Sequence, residues 1–494
     1  MQSYRSGLGA AMCAALLVGC SDSPVVPTQQ GQGPGQSLNA TITLTPDSAA
    51  GWVPEGITIR VQISGPDADS LSKLPVWWSS VDPNLVALAE PSDTAVLAIP
   101  QHDGVAKVIA TVGDVADTAR IVCWEEGAPL AVNEYSTSTL TFTQSIAVGA
   151  DGMIYLPRYD DALLVFNPDL ELVSEIPQQP TWMNVAIADD GSLIMGRRGA
   201  VAALSSSGAL LWEDTTFTSI EAAPAVDSRG HVWIGGYIPG TGPSGVAHYD
   251  AAGTRVAVHE LGSPFKAAPV IVQDSVIVIG DLRNRVYGIS RNDSVLWTDT
   301  FGSSDRYWSP SVGADGRTVY LPLRTALAAV DGLTGDVLWT QQGWGYPSAP
   351  IVDADGTIYM LYADLFAFNP DGSVRWRVDS LGNNHGIYAA PAPALATGGV
   401  LYVPCQSYVC AVNTADGSLR WRHALPSEVA AGTMAGQIVI LPDSSILFST
   451  LRTPGASDFG PAYLIKLRGR YPLADAPWPV DGGDLRRTRR GHMP

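Results

Sequence analysis

Residues 348–376 read SAPIVDADGTIYMLYADLFAFNPDGSVRW, and much of that pattern returns at 390–421 as APAPALATGGVLYVPCQSYVCAVNTADGSLRW. In the first stretch, short apolar runs alternate with the turns DADG and PDGS. Glycine supplies the positive φ that such tight turns require. The pattern predicts four short antiparallel strands, SAPIV, TIYMLY, DLFAFN and VRW, joined by hairpins.

The same unit repeats through the C-terminal two-thirds of the chain. Its third strand, which precedes the second turn, ends at Asn167, Ser205, Asp250, Ser290, Asp331, Asn369, Asn413 and Lys466. These positions lie about 43 residues apart on average, and a 40–45-residue unit of four strands is typical of a β-propeller blade. We therefore predict an all-β protein in which residues 130–494 form an eight-bladed β-propeller. The copy that ends at Lys466 fits the pattern most loosely, so a seven-bladed ring is the alternative.

Residues 329–339, AVDGLTGDVLW, resemble the tryptophan-docking motif A-x-D-x-x-T-G-x-x-x-W of pyrroloquinoline-quinone (PQQ) type propellers. Residues 411–421, AVNTADGSLRW, are a close variant, and residues 476–491 are similar to a terminal segment of such propellers. The resemblance implies that one tryptophan per copy packs between adjacent blades as a structural residue. Five copies carry it, at Trp212, Trp297, Trp339, Trp376 and Trp421, whereas copies one, three and eight do not.

A second domain precedes the repeats. In ITIRVQIS (57–64) apolar and polar residues alternate, as expected for a strand with one buried face. Further short runs of this kind predict a β-sandwich over residues 39–125. The stretch PVWWSSVDPNLVALAE (75–90) resembles a bacterial Ig-like domain of group 2, a family whose members often act as spacers or adhesive domains.

The N-terminus predicts export. Residues 1–19 contain Arg5 and then an apolar run of secretory proportions, too short to span a membrane. The run ends in LVGC, which resembles the lipobox of bacterial lipoproteins and implies lipidation of Cys20; an ordinary signal peptide is the alternative. Ser21 resembles the sorting signal for the outer membrane. Residues 20–38 lack a periodic pattern, which predicts a flexible tether.

Three further cysteines follow, in what would be an oxidising compartment. Cys405 and Cys410 flank four residues between two apolar strands. A four-residue hairpin loop would place the two cysteines opposite each other, close enough for a disulfide, whereas a two-residue loop would misalign them. Cys123 is then unpaired. The net charge of −19 argues against a nucleic-acid partner.

Nothing in the sequence predicts catalysis, a metal or a cofactor. The seven histidines are scattered, no HExxH or GxSxG motif occurs, and the DADG and GADG turns match ordinary turn chemistry better than calcium loops. The rival hypothesis is a periplasmic PQQ-dependent oxidoreductase. Enzymes of that family usually carry a Cys-Cys pair under the quinone, which this chain lacks.

We predict instead a binding protein anchored in the cell envelope, with an envelope protein or a glycan as partner. Its architecture is similar to that of outer-membrane assembly lipoproteins of the BamB type, although an Ig-like module departs from them. Connections between successive copies fall on one face of a propeller and carry aromatic and polar groups, which often anchor interfaces. The candidate binding residues there are Arg306, Tyr307, Trp308, Trp344, Tyr346, His385 and Tyr388. For each of them, filling a gap between blades is the alternative role.

Overall fold

The computed structural model describes residues 39–491, except 137–145, 159–161, 178–179, 198, 216, 218, 221, 238–243, 264, 266, 302–308, 325, 343–346, 382–390, 406–407, 428, 430–432 and 453–461. Across these residues the protein is built from β-strands, with one four-residue helix. No helix in this part of the chain is long and apolar enough to cross a bilayer.

The N-terminal domain has eight strands and the helix. Their bounds are β1 (Thr41–Thr45), β2 (Ser48–Trp52), β3 (Ile57–Ser64), α1 (Ala68–Leu71), β4 (Val76–Ser80), β5 (Val86–Ala89), β6 (Ala95–Pro100), β7 (Gly104–Val112) and β8 (Val115–Trp124). Strands β1-β3-β6-β5 form one sheet and β2-β8-β7-β4 the other. All neighbours are antiparallel except β2 and β8, which are parallel.

The two sheets enclose one apolar core. The alternation along β3 buries Ile59 completely and leaves Arg60 in solvent. In β4 the same period turns Trp78 toward the core and leaves Trp77 65% exposed. The domain is therefore a two-layer β-sandwich, as its alternating pattern predicts.

The rest of the chain forms eight four-stranded sheets, which we number in chain order. Strand β9 (Pro129–Ser136) comes first and belongs to the last of them. Sheet 1 comprises β10 (Ala147–Val148), β11 (Ile154–Arg158), β12 (Ala162–Phe166) and β13 (Leu172–Pro177). Sheet 2 comprises β14 (Pro180–Ile187), β15 (Leu193–Arg197), β16 (Ala200–Leu204) and β17 (Leu210–Asp214). Sheet 3 comprises β18 (Ala225–Val226), β19 (Val232–Tyr237), β20 (Ser244–Tyr249) and β21 (Arg255–Glu260). Sheet 4 comprises β22 (Val270–Val272), β23 (Val276–Gly280), β24 (Arg285–Ser290) and β25 (Val295–Thr300).

The remaining sheets follow the same plan. Sheet 5 comprises β26 (Ser311–Val312), β27 (Thr318–Pro322), β28 (Ala326–Asp331) and β29 (Val337–Gln342). Sheet 6 comprises β30 (Ile351–Val352), β31 (Ile358–Leu361), β32 (Leu365–Phe368) and β33 (Val374–Val378). Sheet 7 comprises β34 (Ala394–Ala396), β35 (Val400–Cys405), β36 (Tyr408–Asn413) and β37 (Leu419–Ala424). Sheet 8 comprises β38 (Thr433–Ile440), β39 (Ile446–Arg452), β40 (Ala462–Leu467) and, as its fourth strand, β9.

Each sheet is buried at its first strand and exposed at its fourth. In sheet 6, for example, Ile351 and Val352 of the first strand are fully buried, whereas Val374 of the fourth strand is 45% exposed. Apolar clusters run between neighbouring sheets, one across sheets 4 to 7 and another across sheets 7, 8 and 1. The sheets thus pack face to face with their first strands inward.

The two domains are in direct contact where the chain passes from one to the other. Arg468, just after β40, places its Nε 2.9 Å from an Asp103 oxygen, and its backbone carbonyl accepts from Gly127 N at 2.7 Å. Arg470 forms an ion pair of 2.6 Å with Glu55 and lies over the ring of Trp52. These contacts hold the sandwich beside sheet 8.

Candidate functional site

Several residues predicted from sequence to have a role lie outside the described part of the chain. They are the lipidation residue Cys20 and the candidate binding residues Arg306, Tyr307, Trp308, Trp344, Tyr346, His385 and Tyr388. Their roles stay predictions. The described residues instead reveal how the sheets are joined and what covers their inner strands.

Tryptophans join successive sheets in a repeated way. The Nε1 of Trp339 in sheet 5 donates to the Pro370 carbonyl in the last turn of sheet 6, at 2.8 Å. Its ring lies against Gly372, whose φ is +84° and where a Cβ would come 2.7 Å from the indole. Trp297 and Trp376 make the corresponding bonds, at 3.1 and 2.8 Å, to the turns of sheets 5 and 7. We call each such contact a joint.

Of the other two tryptophans of the set, Trp212 also lies at a joint. The ring of Trp212 in sheet 2 rests against Gly253 in the last turn of sheet 3, and stacks on Tyr249 with centroids 5.5 Å apart. Trp421 in sheet 7 packs against the apolar cluster that includes sheet 8.

In each sheet, one cross-strand pair between the third and fourth strands combines a large side chain with a small one. Where the fourth strand carries tryptophan, the residue paired with it on the third strand is Ala or Gly. These pairs are Trp212–Ala203, Trp297–Gly288, Trp339–Ala329, Trp376–Ala367 and Trp421–Ala411. Sheets 1, 3 and 8 reverse the sizes, with the pairs Ser174–Val165, Ala257–His248 and Ala131–Lys466. The third strand thus fills the space that the missing indole leaves.

At the joint between sheets 8 and 1, a lysine takes over the tryptophan's contact. Lys466 Nζ donates to the Pro168 carbonyl at 2.7 Å, and Pro168 occupies the same place in its turn as Pro370 does in sheet 6. The ammonium also pairs with Asp443 at 2.8 Å.

At the joint between sheets 3 and 4, histidines and an aspartate replace the tryptophan and the glycine. Asp293 (φ +64°) occupies the turn position that Gly372 holds in sheet 6. His248 Nδ1 lies 3.0 Å from Asp293 Oδ1, and His248 Nε2 lies 2.8 Å from His231 Nδ1. His259 Nε2 reaches the same carboxylate at 3.3 Å. Two histidines that are separated in sequence therefore share one carboxylate, and a third, His231, is linked to it through His248.

His248 is the buried centre of this joint. Its ring is 2% exposed and stacks on Trp233, with centroids 3.9 Å apart. Burial holds the pKa of His248 below its ordinary value, although Asp293 by itself would raise it. The signal in the sequence is a coincidence of two substitutions: Ala257 where five copies have tryptophan, and Asp293 where five copies have glycine.

The C-terminal residues 471–491, here called the axial segment, run along the first strands of the sheets. Carbonyls of Trp478 and Pro479 accept from first-strand N–H groups of sheets 6 and 7, at 2.9 and 2.8 Å. The carbonyls that accept from sheets 1, 2, 3 and 4 in turn are those of Leu485, Arg486, Thr488 and Arg489. Gly491 then lies against Val312 of sheet 5. The segment thus contacts the first strands of seven sheets in succession.

The fully buried arginines of the axial segment pair with an aspartate of the same segment, whereas Arg486 and Arg490 pair with Asp189 of sheet 2. Arg487 Nη2 donates to Asp481 Oδ2 at 2.9 Å, and both guanidinium groups, of Arg487 and Arg489, are 1% exposed. Burial lowers the pKa of Arg489 to about 10. Burial alone would raise the pKa of Asp481, but the two arginines outweigh it and hold that pKa below its ordinary value.

Comparison with known proteins agrees with this geometry. The family model described as outer membrane protein assembly factor BamB matches residues 197–348 and 354–448, which together make up half of the chain. The chain belongs to this family. No curated protein matches it significantly.

Solved structures place this BamB-family chain among the β-propellers. BamB from Moraxella catarrhalis is 18% identical, with a TM-score of 0.50 over 68% of this chain and 97% of its own. A europium-containing methanol dehydrogenase is 11% identical (TM-score 0.51, 68% and 93%). The computationally designed protein Ika8 is 13% identical (TM-score 0.52, 69% and 99%). At these identities the likeness establishes the fold alone.

The described residues of this BamB-family protein do not gather metal ligands: no group of three His, Cys, Asp or Glu side chains among them could hold an ion. The aspartates of the GADG and DADG turns accept nearby N–H groups instead, as Asp355 Oδ1 does from Thr357 N at 2.9 Å.

Cys405 and Cys410 form a disulfide between β35 and β36. The register pairs Cys405 with Tyr408 and Cys410 with Val403, so the two cysteines are diagonal neighbours 6.1 Å apart at Cα; the expectation that this register prevents a disulfide was wrong. Cys123 is a free, buried thiol in the N-terminal domain.

The axial segment occupies hydrogen-bonding positions on the inner strands. Its carbonyls accept from the first strands of six sheets, so a cofactor bound to those same N–H groups would have to displace the segment.

Proposed function

We propose that this protein is a lipid-anchored lipoprotein of the bacterial cell envelope whose propeller is a non-catalytic docking scaffold for another envelope protein. Membership in the BamB family supports a propeller scaffold in the outer-membrane context. The single observation that carries the non-catalytic part is the axial segment, which lies along the inner strands of the ring.

The proposal has three finer parts. The eight sheets are the blades of one closed ring, supported by β9 completing sheet 8 and by the order in which the axial segment meets the sheets. The N-terminal sandwich is an Ig-like spacer, supported by its two facing four-stranded sheets. Cys20 carries the lipid, supported by the LVGC sequence at residues 17–20.

An exposed surface on the fourth strands provides the comparison for locating the docking face. The fourth strand of each sheet exposes aliphatic side chains near its start; in sheets 4 and 5, Leu296 and Leu338 are each 51% exposed. These residues lie in the outermost strands, here called the rim, and not in the connections between sheets. A rim variant is thus a matched control for a variant of the proposed face.

The test is a pull-down from detergent-solubilised envelope with the full-length lipidated protein as bait. We expect one envelope protein to be retained by the wild type and by the rim variant Leu296→Ala/Leu338→Ala. The face variant Arg306→Ala/Trp344→Ala/Tyr346→Ala is expected to lose it. If the rim variant loses the envelope protein and the face variant retains it, the docking surface lies on the rim. No retained protein with any bait would overturn the scaffold proposal.

Two further arms separate the other functions. Adding PQQ with Ca²⁺ is expected to give no bound quinone absorbance and no dye-linked alcohol oxidation; turnover would replace the scaffold with an oxidoreductase. Retention on a glycan array that disappears with Trp344→Ala would make the partner a glycan.

Cys20→Ala is expected to move the protein from the membrane fraction to the soluble fraction.

A further inference from the structure

The joint between sheets 3 and 4 differs from its neighbours in chemistry, because a chain of imidazoles replaces an indole. An ionised Asp293 can only accept hydrogen bonds, so His248 Nδ1 and His259 Nε2 must both carry a proton. A neutral His248 then presents a lone pair at Nε2, which accepts from His231 Nδ1. The hydrogen-bond network thus assigns one tautomer to each ring.

The hydrogen bond between His231 Nδ1 and His248 Nε2 requires one proton between the two nitrogen atoms. With one added proton on the pair, one ring donates and the other accepts, and the bond of 2.8 Å remains. With both rings protonated, two N–H groups face each other across that distance and two like charges adjoin. The contact then has to break.

The surroundings offer little compensation for a second charge. Asp227 accepts from the Nε of Arg229 at 3.0 Å and from the backbone N–H of His231, so its carboxylate is already engaged. Asp293 is shared between His248 and His259. Asp250 is a further charged neighbour of His231, and its carboxylate accepts backbone N–H groups in its own turn.

We propose that this joint is an acid-sensitive seam of the propeller: it is closed while the His231–His248 pair carries at most one added proton, and it opens when both rings are protonated. Sheets 3 and 4 then lose the link through Asp293 that takes the place of the tryptophan contact. The other joints described above contain no such imidazole pair, so opening begins here.

The sign of the pH effect follows from which state binds the proton. In the unfolded chain both histidines take up protons near their ordinary pKa of about 6.5. The closed joint excludes at least one of these protons, so the stability that it contributes is present above that pKa and is lost as pH falls below it. At pH 5.5 each excluded proton lowers the folding equilibrium constant about tenfold.

The test compares the wild type with a variant that restores the tryptophan arrangement, His248→Ala/Ala257→Trp/Asp293→Gly, in the full chain. Urea unfolding and amide hydrogen exchange, corrected for intrinsic rates, are measured at pH 7.5 and 5.5. We expect the wild type to lose about tenfold in its folding equilibrium constant, with protection lost first in β20, β21 and residues 290–294. The restored variant is expected to show neither the fall in the folding equilibrium constant nor the early loss of amide protection. His102→Gln removes a histidine that is 68% exposed in the N-terminal domain and is expected to behave as the wild type.

Equal pH dependence of the wild type and the restored variant, or first loss of protection at another joint, would overturn the proposal. If the triple variant does not fold, ring ¹⁵N signals of the wild type decide the matter. Both His231 and His248 protonated while the amides of β20 and β21 stay protected at pH 5.5 would refute the seam.

Discussion

At the residue scale, one rule governs how neighbouring sheets are joined. A large side chain lies either on the fourth strand, as Trp339 does, or on the third, as Lys466 does, with a small residue opposite. Close packing explains the rule, since two large residues would overlap and two small ones would leave a void. The copies without tryptophan are therefore not defective; they solve the same packing problem with other chemistry.

Replacing Trp339 by alanine tests this packing. The indole is half-buried and donates to the Pro370 carbonyl, so Trp339→Ala is expected to lower the free energy of unfolding by about 2–3 kcal/mol. Urea unfolding measures the loss. Trp77→Ala, at a tryptophan 65% exposed, serves as control and should change the value by less than about 0.5 kcal/mol. Equal losses would argue against a role for the joint.

The buried charges of the axial segment make a second prediction at this scale. Asp481→Asn leaves the guanidinium of Arg487 buried without a counter-charge and is expected to cost about 3–5 kcal/mol at pH 7. Because the pKa of Asp481 is lowered in the folded state, its contribution is present above about pH 3.9 and is lost as pH falls through the folded pKa.

The control for Asp481 is an ion pair near the surface. Glu213→Gln removes the 2.7 Å contact with Arg197, which is expected to matter by less than about 1 kcal/mol. Denaturant unfolding of both variants gives the comparison, and a similar effect of the two would contradict the buried-charge account.

At the element scale, strand β9 joins the two ends of the repeat region. It pairs antiparallel with β40 through bonds such as Ile465 opposite Val132. Sheet 8 therefore takes three strands from the end of the chain and one from the start of the repeats. This explains why the eighth copy matches the repeat pattern least: its fourth strand lies more than three hundred residues away.

Two truncations isolate the contribution of β9. Both remove the N-terminal domain; one begins at residue 128 and keeps β9, the other begins at residue 137 and lacks it. We expect the first to unfold cooperatively on heating and the second to expose the edge of β40 and aggregate. Circular dichroism and size-exclusion chromatography measure the difference. Indistinguishable behaviour would mean that β9 does not close the structure.

At the scale of the whole molecule, the axial segment connects sheets that are distant in sequence. Its carbonyls meet first strands from sheets 6 and 7 and then from sheets 1 to 4. Together with β9, it makes the stability of each sheet depend on the others, as in other repeat architectures whose units cannot bury themselves alone.

Ending the chain at residue 470 removes this inner connection. The first strands of six sheets would each lose a backbone hydrogen bond, and we expect the thermal midpoint to fall on the order of 10 °C. Hydrogen exchange should increase first in the innermost strands. The matched control ends at residue 491 and keeps the axial segment; an equal fall in that protein would locate the effect elsewhere.

Local patterns in the sequence were enough to predict the all-β class and the propeller repeats. The third strands end where the Asp/Gly turns predict, as at Phe166, Tyr249 and Leu467, each within one residue of the expected position. Glycine at positive φ and period-two burial are properties of a few neighbouring residues, so a single chain displays them directly.

Tertiary structure alone decided which distant residues meet. The pairing of β9 with β40, the path of the axial segment and the contacts of His248 and His259 with Asp293 each join residues from separate copies or opposite ends of the chain. No local periodicity encodes such contacts, because they depend on the angle and order in which complete sheets pack. The sequence by itself determined the repeated four-stranded units, and the packing of the sheets decided which side chains contact one another.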